Sequence, residues 1–250
     1  MISCPAGTAS GRGKLALWLL LTYALSALCY LPQILQQGGA DVPEALLYLK
    51  NGFIFVPMLI STAFLLHERR FLSFWREGVT GFSRKELLVC ATVVPVGFFT
   101  TLAYSFFSKT NVYGSTYPSV PALAGTCIYL LCTAFLEEAA WRGFFLRRLA
   151  EGGKEGKSLL IGGIAWAFWH IPMWTAHGLP AVQQVQLWIW AVLVGVVLGK
   201  LYLHRRSFLS AALCHMIFNV CFLAPAVYNI AMLAVVLAGC FIFKKTCQKA

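Results

Sequence analysis

The chain is a succession of long apolar runs separated by short polar and basic stretches, with little alternation of apolar and polar positions inside each run. A helix needs about 20 apolar residues to cross roughly 30 Å of hydrocarbon. Segments near residues 14–36, 44–66, 86–107, 120–146, 158–176, 184–203, 207–224 and 227–243 meet that length or approach it. The pattern predicts an all-α fold, a polytopic transmembrane helical bundle of about eight spans. Pro57, Pro95 and Pro172 fall inside three of these runs. They predict kinks or local unwinding, which membrane bundles tolerate because neighbouring helices satisfy the freed backbone groups. The first run is long for a signal peptide and lacks a small-residue cleavage site, so it is expected to remain as a helix. Connections are short, and residues 1–250 are expected to form a single integral-membrane domain.

Composition agrees: 59% of residues are hydrophobic, 12% are charged, and the mean hydropathy is +0.73. Those values lie outside the range of ordinary soluble domains. All but three of the 20 Lys and Arg lie near Arg12 and Lys14, in alternate connections (Arg69, Arg70, Arg76, Arg84, Lys85; Arg147, Arg148, Lys154, Lys157; Lys200, Arg205, Arg206), or at Lys244, Lys245 and Lys249. Lys50, Lys109 and Arg142 are the exceptions. By the positive-inside rule this asymmetry puts both termini in the cytoplasm, as an even number of spans requires. The net charge of +11 then reads as a topology signal and an attraction to anionic lipid, with no nucleic-acid partner implied. The nine cysteines are scattered, mostly within apolar runs, and form no C-x-x-C pair of the zinc or redox kind; they read as small buried hydrophobes. Cys247 stands fourth from the end of the sequence, but Gln248 and Lys249 do not fit a prenylation signal.

Against that background the stretch TAFLEEAAWRGFFLRRL stands out, because Glu137 and Glu138 are the only acids well inside an apolar run. Each charge at mid-membrane costs about 2.5–3.5 kcal/mol on insertion scales, so an acidic pair there calls for a role. Glu138 and Arg142 are four apart and share a helical face, in the orientation that suits an ion pair. Glu137 is rotated by about 100° from Glu138 and faces something else. His170, His215 and Asn219 offer it partners, with His215 and Asn219 one turn apart on one face. At 1.5 Å per residue from the basic helix ends, Glu137, His215 and His170 lie about 15, 14 and 20 Å deep. They are therefore expected to converge at similar depth in the cytoplasmic half of the membrane, with substrate entering from the cytoplasm or inner leaflet.

The sequence EEAAWR, His170 with Trp166 four positions before it, and HMIFN at His215 and Asn219 resemble the three motifs of the CAAX protease and bacteriocin-processing (CPBP) family of intramembrane endopeptidases: E-E-x-x-x-R, F-x-x-x-H and H-x-x-x-N. The departure is Trp166, where the family motif has Phe. The motifs fall in order on separate apolar runs, over a core of residues 120–224. The resemblance implies a glutamate-dependent, CAAX-type peptidase. Glu137 would be the general base, His170 would help hold the water, His215 and Asn219 would donate to the oxyanion, and Glu138 and Arg142 would give structural support. Trp141, Trp166 and Trp169 flank these residues and are candidates to line a substrate groove.

The implied partners are the lipid bilayer and a peptide or prenylated, membrane-associated protein, and the implied location is a bacterial cytoplasmic membrane. No cofactor is expected. Two His and a Glu also make a possible catalytic zinc set, the alternative with the same residues. A non-catalytic bacteriocin-immunity or scaffold protein that binds peptide is the alternative of another class; a transporter is disfavoured by the absence of visible inverted repeats. The G-x-x-x-G at Gly195 and Gly199 is expected to seat a close helix contact, within the chain in preference to a dimer.

Overall fold

A computed structural model describes residues 9–80 and 120–221, which fold as helices joined by short turns, with no strand among the described residues. Helix α1 (Ala9–Gln37) is followed by α2 (Glu44–Leu47), a 3₁₀ helix (Tyr48–Phe55), α3 (Val56–His67) and α4 (Phe71–Thr80). The second part begins with α5 (Val120–Glu138), which continues through a π-helix (Ala139–Leu146) into α6 (Arg147–Glu151). Then come α7 (Glu155–Trp169), α8 (Ile171–Ala176), α9 (Ala181–Arg205) and α10 (Phe208–Cys221). Four stretches are long and apolar enough to cross a membrane: Gly11–Gln37, Glu44–His67, Glu155–Ala176 and Ala181–His204. The runs expected at 86–107 and 227–243 lie outside the described residues, as do the chain's ends.

Helix α1 shows why such a sequence belongs in lipid. Its exposed stripe is Leu17, Leu20, Leu21, Leu25, Leu28, Leu31 and Leu35, at helical spacing, while Thr22 and Ser26 are buried on the opposite face beside Trp18 and Tyr30. Polar groups inside and leucine outside is the reverse of a soluble amphipathic helix, and it fits a solvent as apolar as the side chains facing it. The inward polar atoms tie helices together. Trp18 Nε1 donates to Ser61 Oγ at 3.0 Å, Trp169 Nε1 to Ser26 Oγ at 2.8 Å, and the Tyr23 hydroxyl to the Ala165 carbonyl at 2.8 Å.

Two expected breaks occur where proline falls. Pro57 sits in the first turn of α3, just after the 3₁₀ helix, so the second run is helical but changes its winding midway. Pro172 sits in the first turn of α8, and the preceding residue pair closes α7 at His170. Proline lacks the N–H that a continuous helix would need, yet at a first turn no partner is missed. The third proline, Pro95, lies outside the described residues.

Helices α7 and α9 cross closely because glycines face each other. A Cβ on Gly195 would lie 2.8 Å from the Gly163 Cα, and one on Gly163 would lie 2.8 Å from the Val192 carbonyl oxygen. Gly199 meets Leu146 and Leu159 in the same way. The G-x-x-x-G therefore seats a contact inside the chain, the close backbone approach that small residues allow in membranes.

Charge gathers at one end of the bundle. There Lys14 and Arg148 pair with Glu68 (3.9 and 2.5 Å), Arg147 pairs with Glu77 (2.6 Å) and Glu151 (3.4 Å), and Lys200 pairs with Glu155. The opposite end carries the α1–α2 turn, where the Gln37 side chain donates to the Ala176 carbonyl, and the α8–α9 turn at Gly178.

Candidate active site

Glu137 and Glu138 end α5, and the chain then widens into the π-helix, where the Arg147 N–H reaches back five residues to the Arg142 carbonyl. π-Helical turns are rare and recur at functional sites. All eight residues of this segment, Ala139 to Leu146, are buried. Gly143 makes room at one face: a Cβ there would come within 3.0 Å of both Phe208 and Phe74.

The two glutamates divide as their spacing suggests. Glu138 is fully buried, and its Oε1 accepts from Arg142 Nη1 at 2.9 Å. The same oxygen faces His215 Nδ1 at 2.9 Å, a partnership that links positions 77 residues apart and that spacing alone does not reveal. Arg142 also stacks over the Trp166 ring, with its guanidinium carbon 4.5 Å from the centroid, and reaches the Gly195 carbonyl at 3.5 Å. Each partner of this buried ion pair thus has a further contact, although both contacts of Glu138 fall on Oε1 and its Oε2 is buried without a hydrogen bond.

Glu137 turns the other way. Its Oε2 accepts a hydrogen bond from Trp166 Nε1 at 3.1 Å, and only 5% of the residue is exposed. Trp166 holds the site together: its ring meets His170 edge-on at 4.8 Å and His215 edge-on at 5.2 Å. Phenylalanine, the residue of the family motif at this position, has no N–H with which to make the bond to Glu137.

His170 stands at the break between α7 and α8, and its Nδ1 lies 2.9 Å from the Trp166 carbonyl. A carbonyl only accepts, so the bond is made by an Nδ1–H, the tautomer that leaves a lone pair on Nε2 when the ring is neutral. Trp174 stacks on the same imidazole at 5.5 Å, while Trp169 meets it from the side at 4.9 Å. Phe53 of the 3₁₀ helix in turn stacks on Trp169 at 4.1 Å.

Glu137, His170, His215 and Asn219 all line one cavity of about 600 Å³. Trp166 and Trp169 line it too. Trp141 does not: its indole is buried against Trp18, Tyr23, Phe145 and Trp169, because the π-helix turns it into the aromatic core behind the cavity. Lining residues that sequence reasoning missed include Tyr30, Lys50, Asn51, Thr133 and His177. Thr133 stands one helical turn before Glu137, a spacing that would have identified it. Lys50 had a signal too, as a cation outside the basic connections. Among the described residues no three His, Cys, Asp or Glu side chains are grouped so as to hold a metal ion. Glu137, His170 and His215 thus share a cavity without closing into a ligand set.

Residues 119–221 match the family model described as Type II CAAX prenyl endopeptidase Rce1-like. This domain carries every residue of the three motifs, and it is consistent with a CPBP-family intramembrane protease. A search of curated proteins returned no match to the chain.

Proposed function

We propose that this integral membrane protein is a glutamate-dependent intramembrane endopeptidase, and that Glu137 is the base that activates the hydrolytic water. The observation that carries the reading is the meeting of Glu137, His170, His215 and Asn219 around one cavity in the bundle interior.

Water is held between the Glu137 carboxylate and the Nε2 lone pair of a neutral His170. Glu137 takes a proton as the water oxygen attacks the scissile carbonyl carbon, and the carbonyl oxygen takes up negative charge. The Asn219 amide and an Nε2–H of His215 donate to that oxyanion, with Glu138 set against His215 Nδ1 to fix the ring. Collapse expels the amine, which leaves with the proton that Glu137 had taken. Trp166 orients the base, and Arg142 balances the charge of Glu138. No metal enters these steps.

The substrate is a membrane-associated or prenylated peptide, and the chain sits with about eight spans and both termini on the cytoplasmic side of a bacterial cytoplasmic membrane. The basic end of the bundle supports this orientation, since cytoplasmic loops hold the excess of Lys and Arg. The test compares peptide termini in cells making wild-type protein or Glu137→Gln. The expected result is a set of new termini made only by the wild type, with their uncut precursors accumulating in the variant. Identical termini, with an immunity or scaffold phenotype retained by Glu137→Gln, would identify a peptide-binding protein that does not cut.

A further inference from the structure

The cavity has a direction. On every described helix that lines it, the lining residues lie away from the basic end. On the continuous helix α5–α6 they are Tyr129, Leu130, Thr133 and Glu137, and none lies beyond Glu137 toward Arg147. On α9 they stop at Val194, the midpoint, and on α10 they begin at His215, in the half remote from Ser207. The α7–α8 arm contributes Trp166 to His177, its final part. Tyr129 is eight residues before Glu137, so the wall extends about 12 Å from the base toward the α1–α2 end.

Toward the basic end the described residues pack into a floor. Behind Glu137 lie the buried Glu138–Arg142–His215 network and then a packed layer of Phe144, Phe145, Leu198, Tyr202 and Phe208, each at most 2% exposed. The other end is polar. Lys50, Asn51 and His177 are exposed and border the cavity there, and Lys50 makes no ion pair among the described residues. An exposed, unpaired ammonium calls for water or lipid headgroups beside it, which places this end of the cavity at the membrane surface.

We infer that substrate reaches Glu137 from the face opposite the basic helix ends, which is the non-cytoplasmic face, through the mouth bordered by Lys50, Asn51 and His177. This rests on the cavity and orientation proposed above, and it replaces the cytoplasmic entry expected from depth alone. Depth and direction are separate quantities: a base about 15 Å from the basic ends can still open only the other way. The substrate class is then a peptide segment presented at the outer surface or outer leaflet, such as an exported or membrane-anchored peptide.

The test uses the full chain in intact cells, with three separate reporters: Lys50→Cys at the mouth, Thr133→Cys on the cavity wall and Lys154→Cys at the basic end. Each is treated with a small membrane-impermeant methanethiosulfonate and read by mass spectrometry at the labelled peptide, which separates the reporter from native cysteines. Lys50→Cys and Thr133→Cys are expected to label in intact cells, and Lys154→Cys only in inverted vesicles. Ala191→Cys, on a different helix of the same cavity, repeats the measurement if Thr133→Cys fails to fold. Cavity cysteines that label together with Lys154→Cys, or that resist labelling from both faces, would overturn the inference. If all reporters swap sides, the mouth stays where it is placed but its assignment as non-cytoplasmic fails together with the proposed topology. Labelling needs no turnover, so these outcomes are independent of whether the protein cuts peptides.

Discussion

The two ends of this bundle are built differently from the same kinds of residue. Between Glu137 and the basic ends, aromatic rings interlock: Trp18 stacks on Phe145 at 5.2 Å and on Phe144 at 5.6 Å, and Phe74 stacks on Phe208 at 5.4 Å. Between Glu137 and the α1–α2 end, rings of the same types, Trp166, Trp169, Trp174 and Phe53, stand around a hollow of about 600 Å³. Packed rings contribute dispersion and interhelical fixing, whereas rings around a void give up those contacts on one side. The hollow half therefore costs stability that the packed half supplies, and the buried charges lie along the boundary between them. Such an arrangement suits a rigid base holding reactive groups against a space that a substrate can enter.

That division assigns different consequences to substitutions in each half. Glu137→Gln should have the largest effect, a loss of about a thousandfold in turnover with the fold retained, measured as peptide hydrolysis alongside thermal unfolding in detergent. Arg142→Ala, on the boundary, leaves Glu138 buried without its cation and should destabilise by about 3–5 kcal/mol, seen as a lower unfolding midpoint and poor recovery of folded protein. Asn219→Ala should slow hydrolysis by about a hundredfold while leaving the unfolding midpoint close to wild type. Trp166→Phe keeps the ring but loses the bond to Glu137, and about a tenfold fall in kcat with little change in KM is expected. Trp18→Phe, deep in the packed half, loses the bond to Ser61 and should cost about 1 kcal/mol of stability with the activity of folded molecules unchanged. A Trp18→Phe variant that lost activity but kept its midpoint, or an Asn219→Ala variant that did the opposite, would erase the distinction between the halves.

Much of this was legible because lipid makes polarity conspicuous. Glu137, Glu138 and Arg142 stand out in an apolar run, and their spacing correctly separates an ion pair from a group facing elsewhere. Proline positions marked where the second and fifth runs change winding or break. The Glu138–His215 contact was not legible, since it depends on how α10 lies against the end of α5 across 77 residues of chain. Trp141 was assigned to the groove because it neighbours the acids in sequence, but the π-helix alters the rotation per residue and turns its indole into the core. The departure at Trp166 was visible as a letter, and its consequence, a donor for Glu137, needed coordinates. The direction of the cavity was equally hidden, because depth along a helix says nothing of which side is filled.

The most direct test of Glu137 as the base uses purified wild-type and Glu137→Gln proteins in lipid vesicles, given one mixed peptide library in heavy-oxygen water with a chelator present. Mass spectrometry reads new C-termini that carry the label. Labelled termini are expected from the wild type, undiminished by the chelator, and none above background from Glu137→Gln. Labelled termini formed at the wild-type rate by Glu137→Gln, or formed by the wild type only after zinc is restored, would contradict that role.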